Sequence, residues 1–263
     1  MSETDEALRT SFDRNADLYD AARPSYPEAL VDETIAWSGI PPGGRILEIG
    51  AGTGKATVAF ARRGFGILAL EPGRNMAAVL RRKTAALPAV SIEESTFEAW
   101  RGGDRAFDLV ISAQAFHWID PAVRYLKAAA ALRSVGALAL IRNETSGLAP
   151  GLRAELEAAY ARWFPAVTWS AARDSTEPKR AEVTSEIDRS GLFGPVRAAS
   201  FPWTATYTTQ QYLDLLNTHS DHAVLDARFQ VPLYGAIADA FERRGGRIEV
   251  PYVAVLLLTV RKD

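Results

Sequence analysis

The chain of 263 residues contains no cysteine, so disulfide bonds, thiolate metal sites and cysteine nucleophiles are excluded. Histidine is also scarce, because His117, His219 and His222 are the only three in the sequence. His219 and His222 are three residues apart and could share a helix face, but no third ligand accompanies them. The sequence therefore predicts no metal site.

The chain also lacks a large excess of charge and a long apolar run. Its 30 Lys and Arg and 32 Asp and Glu residues give a formal net charge of -2, and the arginine-rich spots are scattered. A basic patch would mark a nucleic-acid partner, so we expect none. The longest apolar run, Tyr252 to Val260, is too short to span a bilayer, and Met1 to Glu6 is acidic, unlike the start of a signal peptide. We expect a soluble cytoplasmic protein without a membrane partner, as a monomer or homodimer.

The most informative stretch joins an apolar run to a helical pattern through a glycine-rich loop. Ile46 to Ile49 predicts a buried strand, and Ala56 to Arg62 predicts a helix. Between them, Gly50, Gly52 and Gly54 permit a tight turn and let a ligand approach the main chain. This order of strand, glycine loop and helix is typical of a ligand site.

Two phosphate-binding loops share this order but differ in spacing. The dinucleotide pattern G-x-G-x-x-G requires glycine where this chain has Lys55, and the P-loop requires Ser or Thr where it has Ala56. Glu48, just before the first glycine, favours a cationic ligand over an anionic one. An NAD-dependent oxidoreductase remains an alternative, because an acidic residue such as Glu71 after the second strand is common to both classes.

The sequence from Leu47 to Gly54, Leu-Glu-Ile-Gly-Ala-Gly-Thr-Gly, closely resembles the first motif of class I S-adenosylmethionine-dependent methyltransferases. Their cofactor carries a sulfonium and an ammonium group. The segments Phe12 to Pro27 and Tyr207 to Ser220 resemble the N-terminal lid and an insert of a small-molecule subgroup similar to trans-aconitate methyltransferase. The resemblance implies methyl transfer to a small molecule, on a carboxylate or hydroxyl oxygen. A cofactor-binding relative without catalysis is a further alternative.

Alternating strands and helices predict an α/β fold with a doubly wound, seven-stranded, mostly parallel sheet of the Rossmann-like type in one domain. The predicted strands are Ile46 to Ile49, Ile67 to Leu70, Val90 to Ser95, Phe107 to Ser112, Val135 to Ile141, Val196 to Phe201 and Arg247 to Lys262. The resemblance implies that the last strand is antiparallel. It also divides the single domain 1–263 into an N-terminal helical lid (1–28), a cofactor-binding core (29–145), helical cap inserts (146–195 and 203–246) and the last strands (196–202 and 247–263).

Residues around the predicted strand ends are candidates for cofactor binding. Glu71 lies roughly 20 residues past the first glycine, where a carboxylate can accept hydrogen bonds from both ribose hydroxyls of an adenosine. Tyr19 and Arg23, one helical turn apart, are predicted to give an aromatic wall and a guanidinium for the cofactor's carboxylate; an ordinary helix that packs its aromatic residues on the core is the alternative. The resemblance places Thr96 and Phe97 at the adenine, although family members often have aspartate at the position of Thr96. The predicted cofactor set is Tyr19, Arg23, Glu48, Gly50, Ala51, Gly52, Thr53, Gly54, Glu71, Pro72, Thr96, Phe97 and Gln114.

The candidate catalytic residue is His117, five residues after the fourth predicted strand. Ligands of open parallel sheets lie outside the carboxyl ends of the strands, so we expect His117 near the transferring methyl group, on the substrate side. It is predicted to be a general base or to orient the acceptor; a wall residue bonded to the backbone is the alternative. If it belongs to the cofactor shell, His219 and Tyr207 are the next candidates. The predicted substrate set is Tyr26, His117, Trp118, Tyr207, Thr218, His219 and Ser220, and the aromatic inserts suggest an apolar or aromatic acceptor.

Overall fold

A computed structural model describes residues 12–103, 105–165, 176–223 and 225–263. Residues 1–11 of the predicted lid and 166–175 of the first predicted insert lie outside this description. The strands are β1 (Arg45–Ile49), β2 (Gly66–Leu70), β3 (Val90–Glu93), β4 (Phe107–Ala113), β5 (Leu132–Thr145), β6 (Arg197–Thr208) and β7 (Arg247–Val260). The helices are α1 (Ala16–Ala22), α2 (Glu28–Ser38), α3 (Lys55–Ala61), α4 (Arg74–Thr84), α5 (Arg124–Ala131), α6 (Pro150–Trp163), α7 (Thr176–Ser190), α8 (Thr209–Asn217), α9 (Ser220–Ala223) and α10 (Ala227–Glu242).

The strands form one seven-stranded sheet in the order β3-β2-β1-β4-β5-β7-β6. β7 runs antiparallel to both of its neighbours, and the other six strands are parallel to one another. The prediction of a mostly parallel Rossmann-like sheet with an antiparallel last strand is therefore confirmed. Separate apolar clusters cover the two faces, which explains why the central strands are apolar on both sides.

Two strands are longer than the sequence predicted. β5 continues to Thr145 and β6 to Thr208, because both pair with the long β7: Thr145 lies opposite Tyr252, and Thr208 lies opposite Arg247. Residues 203–208, predicted as the start of an insert, are therefore part of β6. β6 is an edge strand in which exposed residues alternate with more buried ones, so it lacks the continuous apolar run of a central strand.

The N-terminal segment, residues 12–22, packs against the start and the outer face of α4. The Asp13 carboxylate accepts hydrogen bonds from the backbone N–H groups of Asn75 (2.8 Å) and Met76 (3.0 Å), which caps this helix. Farther along, Asp17 pairs with Arg82, and Asp20 pairs with Lys83. Acidic residues spaced along one side of the segment thus fix it to the core.

Helices α6, α8 and α10 of the two inserts form one layer, whereas α7 packs against α5, where its Glu186 accepts a hydrogen bond from the Tyr125 hydroxyl (2.8 Å). Residues of α6, α8 and α10, among them Leu156, Leu215 and Phe241, pack in a shared cluster with Val250 and Tyr252 of β7. This layer brings α8 and the following turn close to α1, since Arg23 contacts Thr218. Within the described ranges, no helix has both the length and the apolar character needed to cross a membrane.

Candidate functional site

Two adjoining cavities open at the carboxyl edge of the parallel strands. The cavity here called the first, of about 570 Å³, is lined by residues at the ends of β1, β2 and β4. The second, of about 300 Å³, is lined by the end of β5, by β7 and by the helical layer. Four residues line both cavities: Tyr19, Arg23, Gln114 and His219. The two cavities therefore adjoin at these four side chains.

The wall of the first cavity near β1 and β2 is built by Gly52 and Glu71. The backbone N–H of Gly52 donates to Glu71 Oε2 (2.7 Å), and that of Gly73 donates to Oε1 (2.8 Å). Gly52 has a positive φ of 57°, and a Cβ added there would meet no protein atom within 4 Å. Each carboxylate oxygen can accept a second hydrogen bond, so Glu71 both anchors the loop and can receive hydroxyl groups from a ligand.

Other residues of the glycine loop face the protein and line neither cavity. A Cβ at Gly54 would lie 2.2 Å from Leu80 Cδ1, so this glycine is required for packing against α4. Ala51 lies in the core cluster, and Thr53 is fully buried. Of the predicted cofactor residues in this loop, Gly50 and Gly52 line the first cavity, and Ala51, Thr53 and Gly54 line neither cavity.

Glu48 was also predicted to contact the cofactor, and it too lies away from both cavities. Its carboxylate is 1% exposed and accepts a hydrogen bond from the Thr57 hydroxyl (2.6 Å). Burial, together with the nearby charge of Glu71, raises the pKa of Glu48 to about 8. Side chains along a strand point alternately to its two sides, and that of Glu48 points toward α3. Glu48 therefore links β1 to α3 inside the protein.

The end of the first cavity beside β3 contains Pro72, Thr96 and Phe97, three predicted cofactor residues. Phe97 stacks against Trp100, with 6.0 Å between the ring centroids. The Thr96 hydroxyl accepts a hydrogen bond from the N–H of Ala99 (3.1 Å), so its side chain stabilises the turn. Phe97 thus gives this end of the cavity an aromatic, apolar residue.

His117 lines the first cavity and not the second, and its place on the substrate side stays a prediction. It belongs to a short 3-10 helix, Phe116–Trp118, whose Phe116 is buried against Tyr125. This anchoring turns His117 outward, where it is exposed and its ring lies 4.9 Å from that of Trp118. Trp118 and Ser220, also predicted to bind the substrate, line the first cavity as well.

The boundary between the cavities is held by hydrogen bonds. Gln114 has a φ of 65°, uncommon for a residue other than glycine, and its Nε2 donates to the Asn143 carbonyl (2.7 Å). Arg23 donates from Nε to the Thr218 hydroxyl (2.7 Å) and from a terminal nitrogen to the Thr218 carbonyl (2.9 Å), with its guanidinium 5.2 Å from the Tyr19 ring centre. Thr218 was predicted to bind the substrate, but it lines neither cavity and instead orients Arg23.

The second cavity combines an apolar wall with charged side chains. Its wall includes Tyr26, Tyr212, Leu215, Val250 and Tyr252, and its charged groups are Arg23, Lys55, Arg142, Glu144 and Arg153. Tyr207, a predicted substrate residue, lies behind this wall and shares a hydrogen bond with the Tyr252 hydroxyl (3.1 Å). The sequence analysis missed Lys55, Arg142, Glu144 and Arg153, although Arg142 and Glu144 follow the strand-end rule that identified Gln114.

Few of the side chains that line or lie behind the two cavities can take up a proton near neutral pH. Burial raises the pKa values of Tyr26, Tyr207 and Tyr252, so their phenols stay protonated. His219 is the histidine that lines both cavities, and the ring of a neutral histidine has one nitrogen that can accept a proton. His222, by contrast, is buried, with Tyr160 and Tyr234 hydroxyls at its two ring nitrogens (3.0 and 3.3 Å).

Comparison with known proteins identifies relatives of this chain. Residues 46–136 match the family model described as a methyltransferase domain. An uncharacterised methyltransferase of Mycobacterium tuberculosis (strain H37Rv) is 32% identical over 216 residues, covering 81% of this chain and 78% of that protein. One similar structure is assigned as a type II methyltransferase from Anaeromyxobacter dehalogenans (TM-score 0.60, 24% identity, 91% of this chain and 96% of that one). Another is phosphoethanolamine N-methyltransferase 2 of Haemonchus contortus with S-adenosyl-L-methionine (TM-score 0.57, 12% identity, 100% and 61%).

Proposed function

Because the chain belongs to the S-adenosylmethionine-dependent methyltransferases, we propose that it methylates a small molecule held in the second cavity while the cofactor occupies the first. The observation that carries this proposal is the meeting of the two cavities across Tyr19, Arg23, Gln114 and His219. Family membership favours methyl transfer over the oxidoreductase alternative. Detection of a methylated product would distinguish an enzyme from a relative that only binds the cofactor.

The residues of the first cavity suit S-adenosylmethionine, which supplies a methyl group bound to a positively charged sulfur. The Glu71 carboxylate can accept hydrogen bonds from ribose hydroxyls, and Phe97 offers an apolar surface for adenine. Arg23 lies at the far end, and among the described residues no carboxylate is within salt-bridge distance of its guanidinium. It can therefore hold the carboxylate of the cofactor's amino-acid end.

For the acceptor, we propose an oxygen nucleophile on a small carboxylic acid or hydroxyl compound. The resemblance to the trans-aconitate subgroup and the cationic side chains of the second cavity support this choice. The chain's contribution is to align the acceptor, exclude water and, for a hydroxyl nucleophile, remove one proton. We propose His219 for that proton, since it lies at the boundary. A carboxylate nucleophile is already ionised near neutral pH and needs no base.

The test is a screen of small acids and phenols with S-adenosylmethionine carrying an isotopically labelled methyl group. We expect label in a small organic product together with release of S-adenosylhomocysteine. The Arg23→Met variant should lower cofactor affinity about tenfold or more, because it removes a charged donor. The proposal fails if label enters only nucleic acid or protein, or if Arg23→Met binds the cofactor as tightly as the unchanged chain.

A further inference from the structure

Glu144 lines the second cavity with a side chain that is 10% exposed. In the part of the chain that the structure describes, neither of its carboxylate oxygens has a hydrogen-bond partner. Arg142 Nε lies 3.3 Å from Oε1 and forms an ion pair, but without the geometry of a hydrogen bond. A buried carboxylate without donors is costly to maintain, so such a group in a cavity indicates a missing partner.

The cationic side chains around this cavity differ in how far their hydrogen-bond donors already have acceptors in the protein. Lys55 donates to the Asp20 carbonyl (2.7 Å), and Arg153 pairs with the Glu157 carboxylate (2.9 Å). Within the described ranges, Arg142 pairs with Glu144 alone and donates no hydrogen bond. The end of β5 thus presents a guanidinium and a carboxylate side by side, each with hydrogen-bonding capacity left.

A ligand that satisfies both groups must carry an anionic group and a hydrogen-bond donor. Resting on the function proposed above, we infer that the methyl acceptor is a small carboxylic acid with an amino or hydroxyl substituent, whose N–H or O–H group donates to Glu144. The carboxylate of this acid lies against Arg142 and Arg153. A polycarboxylate without a donor fits less well, because it leaves both Glu144 oxygens without a hydrogen bond and adds a further negative charge beside them.

Direct binding measurements test this inference without depending on turnover. Calorimetry on the protein saturated with S-adenosylhomocysteine would compare benzoate with its hydroxy and amino isomers, and butanoate with 3-hydroxybutanoate and 3-aminobutanoate. We expect at least one substituted acid in a series to bind about tenfold or more tighter than its parent, as one hydrogen bond to a buried charged group provides. Whether the amino or the hydroxyl member binds identifies the donor.

The Glu144→Gln and Glu144→Ala variants should lose this preference while keeping their affinity for S-adenosylhomocysteine and for the parent acid. The matched control is Glu249→Gln, an exposed carboxylate on β7, which should bind every ligand like the unchanged chain. Retention of cofactor affinity also shows that each variant is folded. If the unchanged chain binds S-adenosylhomocysteine but does not distinguish substituted from parent acids, or if both Glu144 variants keep the preference, this inference is overturned and the methyltransferase proposal stands. Failure to bind S-adenosylhomocysteine at all overturns both.

Discussion

Replacing Glu71 is the perturbation whose consequences the structure defines best. The carboxylate accepts backbone N–H groups from Gly52 at 2.7 Å and Gly73 at 2.8 Å, and it can accept the two ribose hydroxyls of the cofactor on its remaining lone pairs. A hydrogen bond to a charged group contributes about 1.5–3 kcal/mol. Loss of two ribose bonds in Glu71→Ala should therefore cost about 3 kcal/mol, or roughly a hundredfold in affinity.

The loop bonds make Glu71→Gln informative as well. An amide has a single acceptor oxygen, so its NH₂ group would face one of the two backbone N–H donors. We expect this variant to resemble Glu71→Ala in calorimetry with S-adenosylhomocysteine, and both to melt at lower temperature than the unchanged chain. Glu93→Ala, which removes an exposed side chain at the end of β3, is the control and should change neither quantity. Unchanged cofactor affinity in Glu71→Ala would refute the assignment of this residue to the ribose.

The remaining predictions concern the histidines, the buried Glu48 and the N-terminal segment. With a hydroxyl acceptor, His219→Asn should lower turnover by roughly a hundredfold, and turnover of the unchanged chain should rise with pH as an imidazole loses its proton. His117→Asn should lower turnover by less than about tenfold. If a steady-state assay gives the reverse order, His117 and not His219 is the general base. The pKa of Glu48 is raised from 4.5 to about 8, so its contribution to stability is full below pH 4.5 and is lost as pH rises to 8. In urea unfolding, Glu48→Gln should remove a decline of about 1.4 kcal/mol per pH unit over that window, and parallel curves for the two proteins would contradict the burial argument. Asp13→Ala leaves two N–H groups of α4 without their acceptor, so it should destabilise by about 1–2 kcal/mol and speed hydrogen exchange in α1; unaltered exchange there would show that Asp13 does not hold the segment.

The sequence was sufficient for the parts of the fold governed by periodicity. The strand Ile46 to Ile49, the glycine loop and the following helix lie where predicted, because apolar runs and glycine spacing are local signals. The end of β6 was not predictable in this way. Its residues up to Thr208 are strand because β7 supplies hydrogen bonds across the sheet, and this depends on a segment about 40 residues later in the chain.

The ends of the strands predicted where the candidate site lies, but they did not predict the directions in which its side chains point. Gly52, Glu71, Phe97 and Gln114 lie on the first cavity, as the rule for parallel sheets implies. His117 follows the same rule, and burial of its neighbour Phe116 turns it toward the first cavity. This side-chain orientation depends on packing in the folded protein, which residue spacing alone does not specify.

A crystal structure with S-adenosylhomocysteine would show directly whether the cofactor occupies the first cavity with its reactive end toward the second. We expect ribose hydroxyls at the Glu71 carboxylate, adenine beside Phe97, and the sulfur near the boundary formed by Tyr19, Arg23, Gln114 and His219. Density for the ligand in the second cavity, or with its ribose away from Glu71, would refute this placement.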